Sequence, residues 1–122
     1  MILVDTSVWI DHLRSGEAHL TRLLGSSQVL CHPFVIGELA LGNLSDRTAI
    51  LADLENLPAV PLATDGEVRR LIDQHGLAGS GIGYVDAHLA ASARLAGAQG
   101  IWTRDRRLKA VLPRLMLEAG PG

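Results

Sequence analysis

Met1-Ile-Leu-Val-Asp5-Thr6-Ser7-Val8-Trp9-Ile10 opens the chain, and its reading decides the fold. Met1 to Val4 are apolar without alternation, the pattern of a strand buried on both faces of a parallel sheet. Asp5 ends the run. Thr6 and Ser7 suit the start of a helix over 8–14, which Ser15-Gly16 stops.

The same alternation continues outward. A second short helix is expected over 19–24, closed by Gly25, and a second buried strand over 28–32. Pro33 sits in the first turn of a helix over 34–41, where its missing N–H costs nothing. Ile50, Leu51, Leu54 and Leu57 mark a helix over 45–57, with Ser45-Asp46 as its cap. Ala59-Val60 lies between Pro58 and Pro61, an edge strand at most. Thr64-Asp65-Gly66-Glu67 has the capping-box spacing ahead of Val68, Leu71 and Ile72. A glycine-rich loop follows, then a helix over 84–96, a turn over 97–100, a strand over 101–103 and a helix over 105–112 that Pro113 ends. A last strand is expected at 115–117. Strands alternating with helices imply an α/β fold with a mostly parallel sheet. Gly79-x-Gly81-x-Gly83 follows a helix rather than a strand, so it fails the context of a dinucleotide loop and reads as a connection.

At 122 residues, 48% hydrophobic and 20% charged, the chain fits one domain over 1–122 with a real core. A single cysteine, Cys31, excludes an internal disulfide and a multi-cysteine zinc site. Eleven basic against 13 acidic residues argue against a protein that coats nucleic acid broadly. At 3% aromatic, a platform for stacking single strands is poorly supplied, and Trp9 and Trp102 read as core. Neither a signal peptide nor an apolar run of membrane-spanning length is visible, so a soluble cytoplasmic protein is expected, with no membrane partner.

In open α/β sheets, ligands collect at the carboxyl ends of the strands. Asp5 closes the first strand, and Asp105 lies just past the Ile101 strand. Glu38 follows the second strand inside the apolar stretch Val35-Ile36-Gly37-Glu38-Leu39-Ala40-Leu41, where a charge is costly unless paired or bound to metal. Asp86 falls in the first turn of its helix. Two of these have plain structural alternatives: Asp5 as a helix cap and Asp86 as a dipole partner. No base is close in sequence to Asp5 or Glu38. Acids gathered without cations raise their pKa values or recruit a metal, and an all-oxygen donor set suits Mg²⁺ or Mn²⁺. The five histidines show no zinc spacing, and His88 reads as a satisfied surface or interface residue.

Together these segments resemble the PIN-domain family. The opening decapeptide matches its first motif, and Pro33 to Gly42, around Glu38-Leu39, its second. Asp86-Ala87-His88-Leu89-Ala90-Ala91-Ser92-Ala93 matches the third, and Trp102-Thr103-Arg104-Asp105-Arg106-Arg107-Leu108 the fourth. Each alone is weak; their order and separation over nearly the whole chain are specific. Length and layout resemble the VapC toxin branch of type II toxin–antitoxin pairs. The resemblance implies a three-layer α/β/α sandwich and a metal-dependent endoribonuclease with Asp5, Glu38, Asp86 and Asp105 as catalytic acids. Asp5, Asp86 and Asp105 would hold Mg²⁺, with Mn²⁺ as a substitute, and Thr6, Ser7 and Thr103 would support the acids. Glu38 would orient water, accept its proton, or bind the ion through water. The resemblance also implies a cognate antitoxin, an RNA substrate and a homodimer, with a higher toxin–antitoxin assembly within reach.

Arg104, Arg106, Arg107 and Lys109, with Arg114 beyond, crowd around Asp105 and are candidates for RNA phosphates; Arg69, Arg70 and Arg94 are further ones. With the four acids set aside, nine acids face 11 bases, so near-neutrality fits a local acid pocket edged by arginine. Three rival readings stand. An aspartyl-nucleophile phosphohydrolase or phosphotransferase wants a second Asp two residues after the first, where Ser7 stands. A receiver domain wants paired acids and a lysine after a late strand, but the only lysine is Lys109. A non-catalytic partner-binding module has no need of four placed acids.

Overall fold

The computed structural model describes residues 1–121. Its elements run β1 (Ile2–Val4), α1 (Thr6–Ser15), α2 (Ala18–Gly25), β2 (Val29–Leu30), α3 (Pro33–Ala40), α4 (Arg47–Glu55), α5 (Asp65–Gln74), α6 (Tyr84–Leu95), β3 (Gly100–Trp102), α7 (Arg106–Val111) and a 3₁₀ turn at Leu112–Leu115. The sheet has the order β2-β1-β3 and is wholly parallel, with Ile2 opposite Val29 and Gly100. Every strand residue is buried. The strands pack against flanking helices, α6 touching both β1 and β3. This is the α/β arrangement with a parallel sheet that the sequence predicts. No helix among the described residues is long and apolar enough to cross a membrane.

Single-residue bridges extend the sheet at both edges, Cys31 with Ala59 and Gly100 with Glu118, both parallel. The first fits the edge strand expected at 59–60. The second corrects the strand expected at 115–117. Pro113 does not simply end α7: it sits at the start of the 3₁₀ turn, and Met116 adopts a left-handed conformation that swings Glu118 alongside β3. Gly100 belongs to that strand rather than to a turn, paired with Ile2, and the close approach of the Glu118 carbonyl leaves no room there for a Cβ.

Caps show where short-range signals worked. The Thr64–Glu67 capping box is complete, each partner bonding the other's backbone at 3.0–3.1 Å. Asp46 precedes α4 with φ 51°, and its side chain makes no capping bond, so the predicted cap is absent. Trp9 and Trp102 are both buried, as expected.

Candidate active site

Parallel pairing brings the ends of β1 and β3 together: the Asp5 N–H donates to the Trp102 carbonyl at 2.9 Å. Asp5 is buried, 7% exposed. Its reading as a helix cap holds. Its Oδ1 caps α1 by accepting from the Thr6 N–H at 2.8 Å. Its Oδ2 faces the site, accepting from Thr103 Oγ1 at 2.7 Å and Ser7 Oγ at 3.2 Å. Those hydroxyls accept in turn, Thr103 from the Asp105 N–H at 3.0 Å and Ser7 from the Arg104 N–H at 3.1 Å. The turn after β3 is therefore laced to the end of β1.

Asp105 caps α7, its Oδ1 accepting from the N–H groups of Arg107 and Leu108 at 2.8 and 3.0 Å. Asp86 sits in the first turn of α6. Its carboxyl is pushed up to about 6, first by burial, then by the charges of Asp5, Asp105 and Glu38; a backbone hydrogen bond at Gly83 opposes the rise. The four acids thus share one field, although they come from four segments of the chain.

Glu38 departs from expectation. The apolar stretch around it suggests burial, but α3 buries only Val35 and Leu39, and Glu38 is exposed. Its Oε1 accepts from Thr6 Oγ1 at 2.7 Å. Thr6 therefore holds Glu38 with its hydroxyl, and Asp5 only through its amide.

The nearby cations divide. Arg104 is engaged within the chain, with Nε 2.9 Å from Asp11 Oδ2, Nη2 3.3 Å from Glu17 Oε2, and its guanidinium 5.8 Å from the Trp102 ring centre. Arg107 lies on Gly81, with Nη1 3.5 Å from the Gly81 carbonyl. Gly81, at φ +88°, is the one place where that loop needs a glycine on both counts, since a Cβ would come within 2.9 Å of Arg107 Cδ. Arg106 is exposed and Lys109 half-buried, and neither forms an ion pair among the described residues. Arg94 and Arg114 donate to the carbonyls of Leu115 and Gly76, tying the C-terminal turn to the body.

Among the described residues, no three of the His, Cys, Asp and Glu side chains are already arranged to hold an ion. In donor chemistry the site nevertheless fits a hard divalent cation: all its acids offer oxygen, and burial together with the charges of three of them holds the fourth up. Cys31 is remote in character, a buried thiol pushed up to about 11 by burial.

Sequence reading passed over Asp65, Tyr84 and Phe34. Asp65 Oδ1 accepts from Tyr84 OH at 3.0 Å and pairs with His88 Nε2 at 3.1 Å. His88 is thereby satisfied, as its plain reading has it, but it is buried rather than at the surface. The available signal was spacing: Phe34 precedes Glu38 by one helical turn, and Tyr84 opens the helix that carries Asp86.

The PIN domain family matches residues 2–111. The chain is 53% identical over 110 residues to ribonuclease VapC32 of Mycobacterium tuberculosis, covering 90% of this chain and 89% of the relative. FitAcB from Neisseria gonorrhoeae superposes with a TM-score of 0.65 at 19% identity, over 97% of this chain and 95% of that one. VapC20 of Mycobacterium tuberculosis, described as a sarcin-ricin loop cleaving toxin, gives 0.62 at 22%, over 90% and 94%. The fold, the order of the motifs and this kinship agree: the chain belongs to the PIN-domain family, as a close relative of the VapC-type proteins of Mycobacterium.

Proposed function

We propose that the chain is a metal-dependent endoribonuclease and the toxin of a VapBC-type pair. The observation that carries this reading is the gathering of Asp5, Glu38, Asp86 and Asp105 toward the carboxyl ends of the sheet, with Asp86 held up to about 6 by burial and by the charges of the other three. Kinship to a ribonuclease at 53% identity supports it. Asp5, Asp86 and Asp105 are the donors for Mg²⁺, or Mn²⁺ in its place. When bound, the ion supplies Lewis acidity, lowering the pKa of water and neutralising phosphate charge.

The chain's own residues do the positioning. Thr103 and Ser7 orient the Asp5 carboxylate. Asp105 keeps Oδ2 free of the capping bonds that occupy Oδ1. Thr6 fixes Glu38 Oε1, leaving Oε2 to orient the attacking water and take its proton. Arg106 and Lys109 hold flanking phosphates.

Cleavage of structured RNA by the purified chain, free of antitoxin, tests this reading. Activity is expected with Mg²⁺, and is expected to vanish with EDTA and in Asp5→Asn and Asp86→Asn. Cleavage that persists in EDTA, or full activity in both variants, sinks the mechanism; turnover of small phosphate esters would favour the phosphohydrolase alternative.

A cognate antitoxin neutralises the enzyme, and two copies associate. Leu41, 92% exposed at the end of α3, and Met116, 83% exposed, offer apolar surface for such contacts. A monomer mass by light scattering at tens of micromolar would refute the homodimer.

A further inference from the structure

The chain has one Phe, one Tyr and two Trp. Both Trp lie in the core, whereas Phe34 and Tyr84 are 41% and 48% exposed. They flank one buried ring: Phe34 lies 5.1 Å and Tyr84 4.7 Å from His88, centre to centre. Composition argues against a stacking surface, yet the fold gathers both exposed aromatics in one place.

That place borders the acid pocket. Phe34 and Glu38 are four residues apart on α3 and so share a face. Tyr84 opens α6 two residues before Asp86 and points with His88, four residues on, to the other side of that helix, so Phe34 is the ring nearer the acids. The rings are also held in advance. Asp65 Oδ1 takes the Tyr84 hydroxyl and pairs with His88 Nε2. Phe34 lies 4.8 Å from the His32 ring, and its N–H donates to His32 Nδ1 at 2.9 Å. A ligand meeting pre-positioned rings loses little side-chain entropy on binding.

We propose that the outer faces of Phe34 and Tyr84 form a stacking subsite for an unpaired base of the RNA strand, adjacent to the phosphate in the acid pocket. The ligand's identity rests on the nuclease reading. Asp65, its side chain 73% exposed at the rim, repels phosphate, so the shelf takes a base rather than the backbone. Aromatic faces accept any base, so the subsite binds unpaired strands without strict sequence choice.

The test uses the full chain in EDTA, where the strand stays intact, and single-stranded RNA oligonucleotides carrying 2-aminopurine at successive positions. Binding is expected to quench the fluorescence at one or two positions. Phe34→Ala and Tyr84→Ala should lose the quenching and bind about 5- to 100-fold more weakly. Phe34→Tyr and Tyr84→Phe should keep both, which separates a lost ring from a lost fold. The salt dependence of binding should match across all variants, because phosphate contacts are untouched.

Absence of quenching by the wild-type chain, or wild-type binding and quenching in both alanine variants, overturns the subsite. So does a halved mass of Phe34→Ala by light scattering, which would make the shelf a contact between copies. Cleavage in Mg²⁺ is measured in parallel. A chain that quenches but never cleaves RNA refutes the nuclease reading and leaves the shelf; a chain that cleaves while its alanine variants bind unchanged refutes the shelf alone.

Discussion

Thr103 Oγ1 donates to Asp5 Oδ2 at 2.7 Å across 98 residues of chain, in a fully buried position, and accepts from the Asp105 N–H on its other side. One hydroxyl therefore sets the spacing between two of the acids. Thr103→Val keeps the shape, removes the donor and leaves Asp5 Oδ2 short of a partner. Unfolding stability should fall by about 1–3 kcal/mol, and RNA cleavage by about 10- to 100-fold. Thr103→Ser should retain most of both. Urea denaturation and a cleavage time course check this; a fully active Val variant would show that the bond does not position the site.

Asp86 should set function against stability. Its carboxyl stands at about 6 in the fold against an ordinary 3.8. A raised carboxyl contributes its stability below pH 3.8, where both states are protonated, and loses it as pH rises through about 6. In EDTA at pH 7–8, Asp86→Asn is therefore expected to be more stable than wild type, by about 1 kcal/mol once solvent screening of a half-exposed group is allowed for. The difference should fade toward pH 4, and cleavage should be lost. Equal stabilities at pH 8 would mean that neither burial nor repulsion raises this carboxyl.

His32 works in the opposite direction. Buried with its Nδ1 accepting from Phe34, it is held down to about 4 by burial and by the nearby His88. Its Nε2 has no partner among the described residues. A lowered histidine gives its full stability above 6.5 and loses it as pH falls toward 4, where the unfolded chain binds the proton first. Between pH 6.5 and 4 the wild type should lose about 2 kcal/mol on this account, and His32→Asn, which cannot titrate, should show a shallower slope. Parallel denaturation curves across that range would refute the assignment.

Gly100→Ala probes the sheet edge. The new Cβ would meet the Glu118 carbonyl, so the parallel bridge must open or β3 must shift. A loss of about 2 kcal/mol or more is expected, read as a lower Tm. Cleavage should weaken as well, because β3 carries Thr103 to Asp5. An unchanged Tm would show that the C-terminal segment yields freely.

The order of strands and helices was legible in the sequence because its signals are short-range: an apolar run ending in Asp5, a proline opening α3, a capping box at Thr64. The places of the four candidate acids were legible for the same reason: Asp5 and Asp105 lie just beyond strands, Glu38 on the helix after β2, and Asp86 in the first turn of α6. Their partners were not. Whether Thr6 serves Asp5 or Glu38 depends on how α1 meets α3, 32 residues apart. Arg104 looked free for RNA, and only the fold sets Asp11 and Glu17 against it. Glu38 looked buried because its neighbours are apolar; which face of α3 the core covers is decided by packing. The rise of Asp86 and the meeting of Phe34 and Tyr84 with His88 arise the same way. Hydropathy and caps act within a turn or two of chain, whereas charge coupling and ring contacts depend on distance in space, which the parallel crossovers alone set.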